Sequence, residues 1–308
     1  MDEVDLHICQ LLCANSRISQ RDIAAEVGIG VAVVHRRIQS LVDQGVIKEF
    51  TANISRSYLR AVWAQVDGVC ECQPVEAALD RLSKIGSVAS VLTSAANLTS
   101  LTILLKRIED LGPIVEQVRD ILRMPQPRVT ISMRIYVGTK PLDMDLTSDR
   151  ELSRIDYRII NSLHHNSRKP IIDLADEIGI TPKTARYRLE SMEKEGSIEY
   201  GLIWDPARTA GASFIIRIDL RPDVDRSEFI NLINRRFGAR FIFTFVHCND
   251  LDYICAYCWA PTVAQHNELI VAIRSDVMVS GVRSGLVQDQ WSLETWRDRL
   301  LKERASKM

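Results

Sequence analysis

The sequence predicts an α+β protein in which two winged helix-turn-helix domains alternate with two β-α-β-β-α-β (ferredoxin-like) domains. Two observations carry this prediction. When the 308-residue chain is shifted against itself by 151 positions, residues 4–49 match residues 155–200 without a gap. The segment after each matching stretch then repeats one order of helix and strand patterns. A tandem duplication is the simplest explanation of both observations.

The sequence pattern of the first repeated unit predicts three helices, over residues 4–15, 19–27 and about 31–44. Ser19 is placed to cap the second helix, and Gly28 makes the turn before the third. The alternating stretch "VIKEFTANI" after Gly45 predicts a wing strand beside the third helix. A short helix, a turn with glycine and a second helix form the helix-turn-helix arrangement.

The second unit repeats this pattern, with "IGITPKTARYRLESMEKEGSI" as its third helix. Thr181 suits the N-cap, Pro182 the first turn and Gly196 the C-terminal end. The spacing of Ala185, Leu189 and Met192 places them on one buried stripe. The opposite face carries the basic residues and Tyr187, so it is the face a helix-turn-helix protein would place in a DNA groove.

Patterns after each unit give strand, helix, two strands, helix and strand, from Ala61 in the first copy and Ala212 in the second. Each copy therefore predicts one antiparallel sheet with two helices on one face. The polar stretch 138–150 reads as a linker, and from Ser292 a capped helix with Leu293, Trp296 and Leu300 on one stripe is expected to pack on the second sheet domain or a neighbouring chain. The predicted domains are residues 1–58, 59–137, 151–206 and 207–291, with the linker at 138–150 and the C-terminal helix at 292–308.

Composition limits the classes of function. The chain is 46% hydrophobic and 26% charged, has a net charge of −1, and has no apolar run near the ~20 residues of a membrane span. We therefore expect a cytoplasmic protein with no membrane partner. Its seven cysteines are expected to be reduced thiols, and Cys255 and Cys258 should point to opposite faces of a strand. We expect no cofactor, no metal site and no catalytic residues.

The two repeated stretches resemble the leading segment of the Lrp/AsnC family of transcription regulators. They read "LLCANSRISQRDIAAEVGIGVAVVHRRIQSLVDQGVIKEFTANI" and "SLHHNSRKPIIDLADEIGITPKTARYRLESMEKEGSIEYGLIWDP". The resemblance covers nearly the whole chain twice. It implies double-stranded DNA as a partner and homo-oligomers formed through the ferredoxin-like domains. Because one chain holds both halves, we expect the two sheet domains to pair within it and to mimic a homodimer.

The resemblance also implies an effector site in the second sheet domain. The stretch "NDLDYICAY" is similar to the family's Gly-Asp-x-Asp-aromatic turn, near which the family binds amino acids or similar effectors. The candidate residues are Asn249, Asp250, Asp252 and Tyr253, with Asn249 in place of the usual glycine. In the first copy Asn97 and Thr99 replace both carboxylates. A purely structural turn is the alternative, since Asn and Asp satisfy turn backbone.

The candidate DNA contacts lie on the two third helices, and they are His35, Arg36, Arg37, Lys183, Thr184, Arg186, Tyr187 and Arg188. The second helix is better equipped, since Val31, Ala32 and Val33 at the start of the first donate no side-chain hydrogen bond. Residues 1–50 hold five basic against seven acidic side chains, and residues 151–200 hold eight against nine. This balance leaves open a protein-interaction module that has lost DNA binding.

An enzyme is the second alternative, because some Lrp-like proteins are siroheme decarboxylases. Such an enzyme needs His and Arg side chains around a large anionic tetrapyrrole, and His247 is the one candidate in the sheet-domain turn. The HN-Y-R and YN-W-F-like stretches of that group are missing. We therefore predict a DNA-binding regulator that is not an enzyme.

Overall fold

The computed structural model describes residues 1–138, 140–142, 151–205, 208 and 211–306. Its residues divide into two compact units. The helix-turn-helix unit contains residues 11–61, 143–204 and 294–308, and the sheet unit contains residues 1–10, 62–142 and 205–293.

Each copy has the three predicted helices. They are α1 (Glu3–Ala14), α2 (Gln20–Val27) and α3 (Val31–Asp43) in the first copy, and α6 (Arg154–Leu163), α7 (Ile171–Ile178) and α8 (Pro182–Lys194) in the second. Ser19 caps α2 by accepting a hydrogen bond from the backbone N–H of Asp22, as predicted. The turn before α3 needs Gly28, whose φ of 75° lies in the left-handed region.

The two wings pair with each other. Strand β1 (Ile47–Ile54) runs antiparallel to β7 (Ile198–Trp204), with Ala52 opposite Tyr200. The prediction of a wing strand beside the third helix is confirmed, and the strand in addition pairs with the wing of the other copy. A lone wing would leave one row of N–H and C=O groups unpaired, and the second copy supplies the missing partner.

The repeated Asn-Ser-Arg stretch forms a reciprocal clamp in the same unit. The Arg168 guanidinium donates to the carbonyls of Ser16 (2.8 Å) and Ile18 (3.2 Å). Arg17 donates in the same way to the carbonyls of Ser167 and Lys169. Between them the hydroxyls of Ser16 and Ser167 are 2.6 Å apart. Because the same stretch occurs in both copies, the contact between them is nearly symmetric.

The C-terminal helix α11 (Trp296–Ser306) joins this unit, so the expected packing on the second sheet domain is wrong, and the expected alternative of a neighbouring chain is not needed to cover its apolar stripe. It begins later than predicted, because Thr295 and not Ser292 is the residue that bonds its first turn. Leu301 is fully buried in a core shared with α6, α7 and α8. Asp298 accepts a hydrogen bond from the Asn53 amide of β1 at 2.6 Å. The helix is therefore attached to the paired wings through both apolar packing and a polar contact.

The sheet unit contains both β-α-β-β-α-β copies. The first has β2 (Val62–Val69), α4 (Leu79–Ile85), β3 (Val88–Ser94), β4 (Leu98–Leu105), α5 (Leu111–Leu122), β5 (Arg128–Val137) and the short β6 (Lys140–Pro141). The second has β8 (Ala212–Leu220), α9 (Arg226–Phe237), β9 (Phe241–His247), β10 (Tyr253–Ala260), α10 (Val263–Arg274) and β11 (Val279–Ser292). Both copies have the predicted element order.

The two four-stranded sheets close into one barrel. The strand order is β2-β4-β3-β11-β8-β10-β9-β5, and β5 pairs back to β2. The copies join where β3 meets β11 and where β5 meets β9. The prediction that the sheet domains pair within the chain is confirmed. The pairing is more extensive than expected, since no edge of either four-stranded sheet remains open among the described strands.

Each copy keeps its own apolar core on the helix side of its strands. Ala64, Val66, Leu101 and Ile103 pack under α4 and α5, and Ile216, Ile218, Ile254 and Ala256 pack under α9 and α10. Of the predicted linker 138–150, Lys140 and Pro141 form a small hairpin with β5, while residues 139 and 143–150 lie outside the described residues. No helix in the described ranges is long and apolar enough to cross a bilayer.

Glu199 on β7 connects the wings to α11 electrostatically. Its carboxylate lies 2.8 Å from Nε of Arg56 and 3.4 Å from Nη1 of Arg297. Burial by itself would raise the pKa of this carboxyl, but the two guanidinium groups outweigh it and lower the pKa from 4.5 to about 2.

We expect the Glu199 carboxylate to stabilise the fold above pH 4.5, and this contribution to disappear as the pH falls from 4.5 through 2. The sign follows because the folded protein binds this proton more weakly than the unfolded chain does. Glu199→Gln should therefore lower the Tm near neutral pH, and the difference from wild type should narrow on acidification. Calorimetry with Glu190→Gln, an exposed glutamate on α8, gives the matched control. A difference that stays constant with pH would contradict this assignment.

Candidate nucleic-acid interface

Helix α8 of the second copy has a buried face and an exposed basic face. Thr181 caps the helix by accepting from the Thr184 backbone N–H, and Pro182 occupies the first helical position. Ala185, Leu189 and Met192 form the buried stripe that the spacing predicts. The cap and the buried stripe together fix which side of the helix meets solvent.

The exposed face presents Lys183, Arg186 and Tyr187, and the Tyr187 side chain is 70% exposed. Within the described ranges neither Lys183 nor Arg186 has an ion-pair partner. Lysine and arginine in the first turns of a recognition helix can reach guanine O6 and N7 or backbone phosphates. This face is therefore competent to bind the major groove.

Two residues predicted to contact DNA are engaged within the domain. Arg188 donates to Asp156 at 3.1 Å and to the Ser153 hydroxyl at 2.9 Å. Asp156 is fully buried and also completes the capping box of α6, so its carboxylate needs a cation. Thr184 is half-buried, with its hydroxyl 2.8 Å from that of Thr181. The geometry assigns both side chains a structural role.

Helix α3 of the first copy presents a different surface. Gly30 precedes it without a side-chain cap, and Val31 and Ala32 are exposed in its first turn. His35 is exposed, with Nδ1 3.2 Å from the Gln20 amide. Arg36 is exposed as well, whereas Arg37 is half-buried and has a partner within the protein. Arg36 is therefore the better placed of the two arginines.

The predicted effector turn joins the two copies of the sheet unit. The Asn249 amide accepts from the Ile131 backbone N–H at 2.8 Å and donates to the Val129 carbonyl at 3.0 Å. Asp250 forms an ion pair with Arg128 of β5. Asp252 is exposed. Two of the four predicted residues thus connect this turn to the first copy.

Tyr253 points into the barrel, where sequence patterns did not reveal a polar cluster. Asp67 and Arg217, both more than nine-tenths buried, form an ion pair of 2.9 Å between β2 and β8, and Ser100 bonds the same carboxylate. The rings of Tyr253 and His247 lie 5.3 Å apart. The alternation of polar Asp67 with apolar neighbours along β2 was the available signal for this inward face.

Burial governs the ionisation of this cluster. It lowers the pKa of His247 to about 4, although Asp67 opposes the shift, and it raises the pKa of Tyr253. The guanidinium of Arg128 lies 3.9 Å from the centre of the Tyr253 ring. His247 is therefore a neutral interior side chain near neutral pH.

Cys255 and Cys258 diverge as predicted. Cys258 belongs to the core under α9 and α10. Cys255 lies opposite Arg217 on the barrel side of β10, and burial raises its pKa to about 12. The two thiols do not share a site.

Comparisons with known proteins place the chain among DNA-binding proteins. The sequence profile described as "Winged helix-turn-helix DNA-binding" matches residues 1–48 and 152–199. The HTH-type transcriptional regulator Ptr1 of Methanocaldococcus jannaschii is 27% identical over 139 residues, which are 44% of this chain and 94% of that protein. LysM of Sulfurisphaera tokodaii, also an HTH-type transcriptional regulator, is 28% identical over 138 residues, 44% of this chain and 97% of that protein.

A whole-chain match in fold comes from the siroheme decarboxylase NirDL, in co-complex with an iron-uroporphyrin III analogue. It covers 99% of both chains with a TM-score of 0.59, at 13% sequence identity. At that identity the match shows a shared fold. The two profile matches and the regulator relatives, each about half as long, support an Lrp/AsnC-type regulator, and two matches in one chain are consistent with a tandem duplication.

Proposed function

We propose that this chain regulates transcription as a pseudo-dimer that reads double-stranded DNA with α3 and α8, and that α8 provides the main base contacts. The observation that carries the proposal is the exposed face of α8, where Lys183, Arg186 and Tyr187 oppose a buried apolar stripe in a capped helix. Both recognition helices belong to one compact unit. Such a protein needs no palindromic site, since its two reading surfaces differ.

The geometry also supports a proposal for the effector. A small carboxylate-bearing molecule such as an amino acid would compete with Asp250 for the Arg128 guanidinium, which lies over the Tyr253 ring. Because the Asp250–Arg128 pair joins the two sheet copies, such binding would loosen their contact near β5 and β9. We propose that this contact transmits effector binding.

Self-association through the ferredoxin-like domains remains a proposal. Both edges of each four-stranded sheet are already paired within the chain. A second copy would therefore have to dock on the outer helices of the sheet unit and not by adding strands.

A siroheme decarboxylase is the second candidate, since the whole-chain match to NirDL favours it. It would require a side chain able to reach a large substrate. His247 is completely buried, and its backbone carbonyl is held by the Arg226 guanidinium at 2.6 Å. This environment favours a packed interior histidine over a catalytic one.

The main DNA prediction compares two arginines on the same helix. We expect Arg186→Ala to weaken binding to a selected DNA duplex at least tenfold, about 1.4 kcal/mol, because it removes a base contact. We expect Arg188→Ala to lower the free energy of unfolding by about 2 kcal/mol, because it leaves the buried Asp156 without its charged partner. Fluorescence anisotropy at several salt concentrations and calorimetry measure the two effects.

Arg119→Ala, an exposed arginine on α5, controls for the loss of one positive charge. The wild type should also lose affinity as salt rises. If no DNA duplex binds even at low salt, the regulator proposal fails and a protein-interaction module becomes the better account.

The effector prediction rests on a matched pair of variants. An amino acid that binds should raise the Tm of the wild type. The rise should be larger in Asp250→Asn, where Arg128 has lost its carboxylate partner. The Tm of Arg128→Ala should not change when the amino acid is added. Asp289→Asn, at an exposed aspartate on β11 outside this turn, serves as the control. A panel of α-amino acids that shifts no Tm at millimolar concentration would exclude this effector class.

The enzyme candidate predicts a spectroscopic signature. Siroheme added to a siroheme decarboxylase should bind with a displaced Soret band and lose carboxyl groups as carbon dioxide. We expect neither change with this chain, in absorbance titration and in mass analysis of the recovered tetrapyrrole. Decarboxylation of siroheme by this chain would favour the enzyme over the DNA-binding regulator.

A further inference from the structure

The duplication allows the two recognition helices to be compared position by position. At an offset of 151 residues, Ala32 of α3 corresponds to Lys183 of α8, and His35 corresponds to Arg186. Both residues of each pair are exposed in the structure. The two helices therefore present different chemistry to the same kind of groove.

The leading end of α3 is apolar and exposed. Val31 is 45% exposed, Ala32 is exposed and Val33 is half-buried, and Gly30 before them adds no side chain. None of these side chains can donate or accept a hydrogen bond. In the major groove the one apolar group on a base edge is the C5 methyl of thymine. An apolar leading end thus matches thymine and leaves the polar edges of guanine and cytosine unpaired.

Two exposed arginines of the first copy lie on α2 and on α3 itself. Arg21 is exposed at the start of α2, and Arg36 is exposed one turn further along α3. The position equivalent to Arg21 in the second copy is Ile172, which is 63% exposed. The first copy therefore has an exposed arginine, a side chain able to bind phosphate, on the helix before α3, where the second copy has an isoleucine.

We infer that the two readers recognise different bases: α3 recognises thymine methyl groups through Val31 and Ala32, while α8 recognises guanine through Lys183 and Arg186. The target is then a composite site, with a thymine-containing half and a guanine-containing half in fixed order. Arg21 and Arg36 anchor the first half through its phosphates. This inference deepens the proposed function and rests on it, since it requires that the chain binds duplex DNA.

The test uses base analogues that remove single recognition groups. Duplexes of about 40 base pairs are first selected from a random pool by the full chain. The best duplex is then made again with uracil for thymine, which removes the methyl, or with 7-deazaguanine for guanine, which removes the N7 acceptor. Each half-site is substituted separately, and affinity is measured by anisotropy at constant salt.

We expect uracil in one half-site to weaken binding about fourfold for each methyl contacted. Val31→Ala should lose much of this sensitivity, while its sensitivity to 7-deazaguanine should stay as in the wild type. We expect 7-deazaguanine in the other half-site to weaken wild-type binding about tenfold, and Arg186→Ala to lose much of this sensitivity. Val33→Ala, at the half-buried neighbour, separates a general loss of α3 packing from loss of the methyl contact.

The outcomes distinguish this inference from the function on which it rests. If no duplex is selected, the DNA-binding proposal itself fails. If a duplex is selected but uracil has no effect in either half-site, the chain binds DNA and the thymine-reading assignment to α3 is wrong. A selected site that is a palindrome would also overturn it.

Discussion

Strand edges are the constraint on which the rest of this structure depends. A four-stranded sheet of one copy ends in two rows of unpaired backbone groups, and a single wing ends in another. In this chain the second copy pairs the open edges of each four-stranded sheet and one edge of each wing. The sheets close through β3 with β11 and β5 with β9, and the wings close through β1 with β7. Duplication therefore satisfies within one chain the pairing that a half-length protein would have to find in a second molecule.

The polar contacts between the copies follow from that pairing. The clamp of Arg17 and Arg168 uses backbone carbonyls of the opposite copy, and a serine pair lies between them. In the sheet unit, the buried pair of Asp67 and Arg217 crosses between strands of the two copies. Buried ion pairs add modest net stability but are costly to break, so they favour one arrangement of the copies over others. Pairing of edges and placement of charges thus specify the same pseudo-dimer.

A pseudo-dimer allows its two halves to change independently. In a homodimer every substitution on a recognition helix appears twice, whereas here α3 and α8 have separate sequences. The apolar leading end of α3 and the basic face of α8 are a consequence of that freedom. The overall charge of −1 is compatible with DNA binding, because a local group of exposed cations such as Lys183 and Arg186 on α8 can meet phosphates while the rest of the chain stays balanced. The turn at residues 249–253 of the second copy also differs in sequence from the equivalent turn of the first copy. Its side chains join the two sheets.

The sequence by itself determined the element order, the duplication and the exposed face of α8, because these depend on local periodicity, caps and turns. Thr181, Pro182 and the buried stripe of α8 were all predictable, and so were the opposite faces of Cys255 and Cys258. Only the tertiary structure decided which of the basic side chains are bound to other groups of the protein and so cannot reach DNA. Arg188 and Arg186 look alike in sequence, but Arg188 neutralises a carboxylate buried on α6. The wing partner, the attachment of α11 and the polar cluster around Tyr253 also involve residues far apart in the chain. Local patterns do not encode such contacts, since they depend on which strand edges and buried charges the folded chain brings together.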